Sequence, residues 1–203
     1  MTLIEPDGIW CDVRTPGFQR HRPALFLDRD GTLIELVDYL SAPDEVRLID
    51  AAVEAVRGAN TAGVAVVIVT NQSGIGRGYY DWAAFEVVQA RLYELLADAG
   101  AVVDAVYACP HSPPHAGGPA NSLYRKPAPG MFLRAGTDLA LDLANSRVAG
   151  DTAADLAAGK AAGLSAGLLV ETGYGDRDLA AALALADDRY DVLSADWGHP
   201  LQA

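Results

Sequence analysis

Four polar clusters in this chain contain residues that could carry chemistry, and each lies at the end of a short apolar run or in the loop that follows one. They are Asp28-Arg29-Asp30-Gly31-Thr32, Thr70-Asn71-Gln72-Ser73-Gly74, Arg125-Lys126-Pro127, and Gly150-Asp151 with Asp155. Taken singly, each cluster has an ordinary explanation as a solvated turn, a helix cap or a surface charge. Their joint occurrence in this order is far more specific, and it supplies the groups that phosphoryl transfer requires.

Two aspartates separated by one residue form the first candidate pair. The carboxylate of Asp28 can attack phosphorus and form an acyl phosphate, which divides one difficult displacement into two easier steps. Asp30 can protonate the leaving oxygen in the first step and deprotonate water in the second. Thr70 offers a hydroxyl, and Lys126 a positive charge, to the phosphoryl oxygens. These four residues are the predicted catalytic set.

The same clusters predict a site for a cation. Asp151, together with Asp28 and a main-chain oxygen of Asp30, offers the oxygen ligands that Mg²⁺ prefers. A cation is also needed for a carboxylate to approach a phosphate dianion. Asp155 lies four residues after Asp151, on the same face of a helix that begins between them, and can orient Lys126 or a water on the cation.

Apolar runs and helical periodicity predict the elements that position these clusters. Strands are predicted at 24–27, 64–69, 101–108, 147–149, 165–170 and 190–193, and helices at 50–62, 81–99, 129–141, 152–162 and 178–186. Strand and helix alternate, which indicates an α/β fold, a Rossmann-like three-layer sandwich with a mainly parallel central sheet. In such sheets ligand sites form at the carboxyl ends of the strands, where the clusters fall.

The length of the chain predicts one domain. We expect a single domain over residues 1–203, with residues 1–23 as a lead-in that packs on the core. Trp10 and Phe18 in the lead-in, and Trp197 near the end, favour packing over free movement.

Charge and cysteine content limit the partners and the compartment. A formal net charge of −12 disfavours nucleic acid and anionic membranes, whereas a small phosphorylated molecule can still bind in a local basic pocket. Cys11 and Cys109 cannot form a disulfide framework, and neither a secretory leader nor a membrane-spanning run is evident. We therefore expect a cytoplasmic protein, either a monomer or a small homo-oligomer.

The motifs FLDRDGT, VIVTNQSGIGRG, RKPAPGM and AGDTAADLAAGKAAG resemble the successive motifs of the haloacid dehalogenase (HAD) superfamily of phosphatases. More narrowly, DRDGT with TNQSG and RKP is similar to the subgroup of D-glycero-D-manno-heptose 1,7-bisphosphate phosphatases and histidinol-phosphate phosphatases. The resemblance implies a HAD-like core without a large cap domain, and it implies the catalytic and metal-binding roles given above. It also implies that the substrate end of the site is lined by Asn71, Ser73, Arg77 and Arg125.

The resemblance leaves several functions open. A heptose bisphosphatase is the first hypothesis, because Arg125 and Arg77 are cations that can hold a second phosphate. Histidinol phosphate is the alternative substrate, and its protonated amine would be better served by a spare carboxylate such as Glu35 or Asp38. The net charge disfavours a polynucleotide 3′-phosphatase, and the lack of a large lid disfavours a phosphotransferase or mutase. The intact catalytic set disfavours a catalytically silent binding module on this fold.

Many members of the subgroup hold a structural zinc in the loop before RKP, through a Cys-x-His and a later Cys-x-Cys. Here Cys109-Pro110-His111 keeps the first half, whereas the later positions are Ser122 and Tyr124. His115 can supply a third ligand, but a structural zinc requires four. We therefore expect Mg²⁺ as the cofactor and no bound zinc.

Overall fold

The structure, a computed structural model, describes residues 2–4, 8–15 and 21–195. The strands are β1 (Thr2–Ile4), β2 (Trp10–Val13), β3 (Ala24–Leu27), β4 (Ala65–Asn71), β5 (Ala105–Cys109), β6 (Arg147–Gly150), β7 (Ala166–Val170) and β8 (Asp191–Ala195). The helices are α1 (Asp50–Thr61), α2 (Ser73–Gly76), α3 (Trp82–Asp98), α4 (Gly130–Leu139), α5 (Ala153–Ala161) and α6 (Gly175–Leu183). Within the described ranges, no helix is both long and apolar enough to cross a bilayer.

All eight strands belong to one sheet in the order β1-β2-β5-β4-β3-β6-β7-β8. The six strands from β5 to β8 in this order run parallel. At one edge, β2 pairs antiparallel with β5, and β1 pairs antiparallel with β2. The prediction of a mainly parallel sheet is confirmed, with Asp28, Thr70 and Asp151 at the carboxyl ends of its central strands.

The central strands are apolar throughout because helices cover both faces of the sheet. Leu25 and Leu27 of β3 face α1 and α3, where they pack in one core with Val53 and Phe85. Phe26 points to the other face and packs on Phe132 of α4, with ring centroids 4.9 Å apart. The side chains of this short strand point alternately to the two faces of the sheet and pack against helices on each. The result is the three-layer sandwich that the sequence predicts.

The connection between β3 and β4 contains one short 3₁₀ turn (Pro43–Glu45) and α1. No large cap domain is inserted there, as the resemblance implies. The residues before α1 form an irregular loop that passes over the carboxyl end of the sheet and contributes to the cavity described below.

The lead-in contains secondary structure that sequence reasoning did not predict, namely β1 and β2. Trp10 of β2 is 2% exposed, packs edge-on against Phe85 at 5.0 Å, and donates from Nε1 to Glu86 at 2.9 Å. Phe18 and Trp197 lie outside the described residues. The assignment of the whole chain to a single domain stays a prediction.

Candidate active site

Three adjacent strands bring the first, second and fourth clusters together. β3 lies between β4 and β6, so Asp28, Thr70 and Asp151 meet at the carboxyl ends of these three strands. The N–H of Asp28 donates to the carbonyl of Ala149 at 3.0 Å, which extends the parallel ladder one residue beyond β3. The Asp28 side chain is 13% exposed, and Thr70 and Asp151 are each 1% exposed. These polar groups are therefore largely shielded from bulk water.

Lys126 lies within this group although it comes from a distant loop. Its Nζ is 2.7 Å from Oδ1 of Asp28 and 2.5 Å from Oδ1 of Asp155, and it donates to the carbonyl of Val69 at 2.7 Å. Burial alone would lower the pKa of Lys126, but the ion pairs with Asp155 and Asp28 raise it above its ordinary value. Lys126 therefore keeps its positive charge beside the candidate nucleophile.

Asn71 holds the main chain of the lysine loop. Its Nδ2 donates to the carbonyl of Lys126 at 3.2 Å, and its Oδ1 accepts from the Lys126 N–H at 3.1 Å. This side chain, predicted to contact substrate, lines the cavity but has both ends of its amide bound to protein. The reciprocal pair fixes the position of the loop relative to the end of β4.

Asp28, Asp151 and Asp155 form a cluster of carboxylates whose oxygen atoms lie within 4.8 Å of one another. Burial raises the pKa of Asp28 to about 8; Lys126 opposes this shift, and the neighbouring carboxylates reinforce it. Burial and the charge of Asp155 raise the pKa of Asp151 to about 7. The excess of negative charge and the oxygen donors suit a hard divalent cation such as Mg²⁺.

Other contacts fix two members of this cluster. Asp155 accepts hydrogen bonds at Oδ2 from the N–H and hydroxyl of Thr152, at 3.0 and 2.6 Å, while its Oδ1 faces Lys126. Asp151 accepts at Oδ2 from the N–H of Tyr174 at 2.9 Å. Asp155 thus has both oxygens engaged and lies where the predicted orienting role requires it, and that role stays a prediction.

Two glycines let the main chain approach Asp151 closely. Gly31 and Gly173 have φ values of +82° and +61°. A Cβ on Gly31 would lie 2.5 Å from Oδ2 of Asp151, and a Cβ on Gly173 would clash with the same oxygen. The hydroxyl of Thr172 donates to the Gly31 carbonyl at 2.6 Å and joins the two loops. Only glycine satisfies both the backbone angle and the space at these positions.

A separate set of donors holds the carboxylate of Asp30. Arg29 donates from Nε to Oδ2 at 3.1 Å and from Nη2 to Oδ1 at 3.0 Å, and Gln72 donates from Nε2 to Oδ2 at 2.8 Å. Arg29 is 1% exposed, with its guanidinium 5.1 Å from the ring of Phe85. In the described part of the chain, the Asp30 side chain lies outside the carboxylate cluster. Its predicted contribution to the cation site is through the main chain.

A cavity of about 270 Å³ opens at this end of the sheet. The predicted site residues that line it are Asp28, Asp30, Thr70, Asn71, Ser73, Lys126, Asp151 and Asp155. Arg77 and Arg125 lie beside the cavity instead. The Arg77 guanidinium is 6.0 Å from the ring of Tyr39, a lining residue, and Arg125 donates to the carbonyl of His111 at 2.7 Å. Burial lowers the pKa of Arg125, and the charge of Arg77 contributes to the same shift.

The loop before Lys126 is held by hydrogen bonds. Cys109 is fully buried, and Nδ1 of His111 lies 2.7 Å from the hydroxyl of Ser122. The same hydroxyl oxygen accepts from the Arg125 N–H at 3.0 Å. Among the residues that the structure describes, Cys109, His111 and His115 do not form a group able to share one metal ion. The absence of zinc stays a prediction.

Comparison with known proteins places the chain in a family. A family model described as HAD-hydrolase-like matches residues 123–194. The D-glycero-β-D-manno-heptose-1,7-bisphosphate 7-phosphatase of Mesorhizobium japonicum is 48% identical over 153 residues, which cover 73% of this chain and 70% of that protein. The chain belongs to the HAD superfamily of phosphatases. The prediction of an enzyme that hydrolyses phosphate esters is therefore confirmed.

Two further proteins are similar to this HAD phosphatase over most of their length. A Pseudomonas aeruginosa protein with the same name is 39% identical over 175 residues, which cover 86% of this chain and 95% of that protein. A crystal structure of D,D-heptose 1,7-bisphosphate phosphatase from B. bronchiseptica, complexed with magnesium and phosphate, has a TM-score of 0.74 and 34% identity. It covers 86% of this chain and 93% of that one.

Several residues that line the cavity of this HAD phosphatase were not predicted from sequence. They are Arg29, Leu36, Val37, Asp38, Tyr39, Leu40, Gln72, Gly74, Tyr80, Thr152 and Tyr174. Arg29 and Gln72 lie inside two of the recognised motifs, so their position was a usable signal. The sequence indicates Asp38 only as a spare carboxylate for a protonated amine. No local pattern distinguishes Tyr80 or Tyr174 from ordinary helix-flanking aromatic residues.

Proposed function

We propose that this HAD phosphatase is a Mg²⁺-dependent phosphomonoester hydrolase that acts through an aspartyl-phosphate on Asp28. Its proposed substrate is a small phosphorylated sugar, D-glycero-D-manno-heptose 1,7-bisphosphate, from which it removes the 7-phosphate. The observation that carries the chemistry is the 2.7 Å contact between Asp28 and the buried Lys126 at the base of the cavity. The names of the relatives support the substrate.

In the first step, a carboxylate oxygen of Asp28 bonds to phosphorus while the bond between phosphorus and the ester oxygen breaks. The leaving oxygen keeps the bonding electron pair and receives a proton from Asp30. Lys126 and the hydroxyl of Thr70 stabilise the charge on the transferring phosphoryl oxygens. The product alcohol leaves, and the phosphoryl group stays on Asp28.

In the second step, a water oxygen bonds to phosphorus and the bond from phosphorus to Asp28 breaks. Asp30, now a carboxylate, takes a proton from this water and is restored to the acid form. Inorganic phosphate leaves, and Asp28 regains its carboxylate. Each group therefore ends the cycle in the protonation state in which it began.

The carboxylate cluster supports the proposed cation. Asp28, Asp151 and a main-chain oxygen of Asp30 would hold Mg²⁺, because both oxygens of Asp155 already have protein partners. When bound, Mg²⁺ supplies the positive charge that lets a carboxylate approach a phosphate dianion. Burial is the main cause of the raised pKa values of Asp28 and Asp151, and the neighbouring negative charges add to it; a bound cation would favour the charged form of both groups.

Two arginines beside the cavity support a substrate with a second phosphate. The Nε of Arg77 is buried without a hydrogen-bond partner among the described residues. Arg125 lies close enough for the charge of Arg77 to lower its pKa. Two neighbouring guanidiniums that repel one another gain most from an anion placed between them.

One observation favours histidinol phosphate as the alternative substrate. Asp38 lines the cavity and is exposed, whereas Glu35 lines a different depression. Asp38 supplies the spare carboxylate that a protonated amine would need. The names of the relatives give priority to the heptose bisphosphate.

A substrate panel tests the proposal. Phosphate release from heptose 1,7-bisphosphate, histidinol phosphate and a sugar monophosphate should be measured with Mg²⁺ and with excess chelator. We expect the heptose bisphosphate to give the highest kcat/KM and the chelator to stop turnover. Fastest turnover of histidinol phosphate would overturn the substrate, and full activity in chelator would overturn the metal.

A further inference from the structure

Gln72 is a buried residue at the end of β4, and every hydrogen-bonding position of its amide is occupied. It is 3% exposed. Its Oε1 accepts from Nη2 of Arg29 at 3.2 Å and from the hydroxyl of Tyr80 at 2.6 Å. Its Nε2 donates to Oδ2 of Asp30 at 2.8 Å and to Oγ1 of Thr70 at 2.8 Å. An amide has two donor and two acceptor positions, so no capacity is left over.

The guanidinium of Arg29, which can only donate, fixes the orientation of this amide. A guanidinium has no acceptor, so the Arg29 side of the amide must be its oxygen. Burial raises the pKa of Tyr80 to about 12, so its hydroxyl keeps its hydrogen and donates to the same oxygen. With Oε1 held by Arg29 and Tyr80, the Gln72 nitrogen can only face Asp30 and Thr70.

This orientation determines how Thr70 uses its hydroxyl. Because Oγ1 of Thr70 accepts from Gln72, its own hydrogen is available to another acceptor. Oδ2 of Asp30 is 3.5 Å away, which is long for an O–H donor. Thr70 lines the cavity, so this hydrogen can be donated to a phosphoryl oxygen bound there.

The same orientation distinguishes the two oxygens of Asp30. Oδ2 accepts from Gln72 and from Nε of Arg29, at 2.8 and 3.1 Å. Oδ1 accepts from Nη2 of Arg29 at 3.0 Å. Oδ2 is therefore held by two N–H donors and Oδ1 by one, which fixes the carboxyl group and leaves Oδ1 the less engaged of its two oxygens.

We propose that Gln72 is a positioning residue for phosphoryl transfer, whose fixed amide makes Thr70 a donor to the phosphoryl group and holds the carboxyl group of Asp30 in place beside it. The inference rests on the roles proposed above for Asp28 and Asp30. Gln72 acts through Asp30 and Thr70 and does not itself contact the reacting atoms. Its loss therefore affects most the substrates whose leaving group needs a proton.

The leaving-group dependence of two variants tests this role. Turnover of a sugar phosphate, whose alkoxide must be protonated, is compared in Mg²⁺ with that of p-nitrophenyl phosphate, whose phenolate leaves unprotonated. We expect Gln72→Met to lower kcat on the sugar phosphate about tenfold more than on p-nitrophenyl phosphate, with KM changed less than kcat. Gln72→Glu keeps the acceptors for Arg29 and Tyr80 but loses the donors. It should give the same pattern, and it replaces Gln72→Met as the test if that variant does not fold.

Two controls separate the possible outcomes. Gln89→Met changes another buried glutamine, 1% exposed and outside the cavity, and should leave both substrates within about twofold of wild type. In an Asp30→Asn background, Gln72→Met should add no further leaving-group selectivity. Equal losses on both substrates would overturn only the proposed role of Gln72 and would leave the proposed mechanism standing. Normal turnover by Asp28→Asn would instead overturn the proposed mechanism on which it rests.

Discussion

The two ends of the cavity satisfy their charges in opposite ways. The chemical end comprises Asp28, Thr70, Lys126, Asp151 and Asp155. The proposed substrate end comprises Asp38 and Tyr39, which line the cavity, with Arg77 and Arg125 beside it. Lys126 and Asp155 are 3% and 1% exposed and are paired with each other, whereas Tyr39 is 43% exposed and Arg77 has a buried nitrogen without a partner in the described part of the chain. The chemical end is preorganised by contacts within the protein. At the substrate end, Arg77 keeps a hydrogen-bond donor that a bound substrate could use.

This difference assigns separate properties to the two ends. Groups that are buried and paired hold their geometry without substrate, which suits atoms that must be placed for phosphoryl transfer. Cations without carboxylate partners bind anions more strongly because no internal ion pair competes. We therefore expect changes at the chemical end to act on kcat and stability, and changes at the substrate end to act on substrate choice.

The largest expected effect is on turnover, from Asp28→Asn. An amide cannot form the acyl phosphate, so kcat should fall by at least about a thousandfold for every substrate, while the protein stays folded. Steady-state kinetics and circular dichroism on the same preparation measure both properties. Asp30→Asn should also be severely impaired. Near-normal turnover by folded Asp28→Asn would end the proposed mechanism.

Lys126→Met should have the largest effect on stability. It removes the cation between Asp28 and Asp155 and leaves two buried carboxylates unpaired, which we expect to lower the free energy of unfolding by about 3 kcal/mol. Denaturant unfolding measures this quantity. Lys160→Met is the matched control, because Lys160 pairs with Asp187 at the surface and its loss should change stability much less. Equal destabilisation by both variants would contradict the preorganised chemical end.

Arg125→Ala tests the substrate end. We expect kcat/KM for a sugar bisphosphate to fall about tenfold, with a smaller change for a monophosphate, because one of the two cations for the second phosphate is lost. Arg91→Ala, which removes an exposed arginine paired with Glu94, should change neither. Asp38→Asn should reduce activity only toward an amine-containing substrate. A uniform loss with Arg125→Ala would show that this arginine serves the protein and not the second phosphate.

The pH dependence of stability tests the charge balance of the carboxylate cluster. The folded pKa values of Asp28 and Asp151 are about 8 and 7, above the ordinary value of 3.8, so the metal-free folded protein keeps protons that the unfolded chain has lost. Stability in chelator should therefore fall as pH rises from about 4 to about 8. The increase in Tm on adding Mg²⁺ should be greater at pH 8 than at pH 6. A Mg²⁺ effect independent of pH would count against the cluster as the binding site.

The smallest effect is expected at the loop around Cys109. Elemental analysis of the purified protein should find far less than one zinc per chain, because Ser122 stands where a thiolate would be needed. Chelation should accordingly leave the fold intact by circular dichroism. Stoichiometric zinc would show that residues other than Cys109, His111 and His115 complete a tetrahedral site.

The fold and the chemical end were predictable because they depend on simple regularities. Short runs of apolar residues mark the parallel strands, and the carboxyl ends of such strands meet, so Asp28, Thr70 and Asp151 were placed together from sequence. The strand predicted from Ala101 begins at Ala105 because the amide of Asn60 binds both the N–H and the carbonyl of Val102, which keeps that residue in a loop. Local pattern does not reveal such a long-range side-chain contact.

The antiparallel edge and the polar networks were beyond sequence reasoning for related reasons. The pairing of Cys11 with Tyr107 joins segments far apart in the chain, and four-residue strands carry little periodic signal. The amide orientation of Gln72 follows from the side chains of Arg29 and Tyr80, whose rotamers depend on packing. Arg125 was predicted to face substrate, yet one end of its guanidinium binds the carbonyl of His111.

The reciprocal hydrogen bonds between Asn71 and the main chain of Lys126 have an evolutionary consequence. The long loop that starts after Cys109 leaves the sheet at the end of β5 and is secured again at Lys126, so its two ends are held by the parallel core. Loops anchored in this way tolerate insertions, deletions and exchange of their tips. The segment between the two anchors can therefore change in length and sequence without moving Lys126, the residue proposed to contact the phosphoryl group.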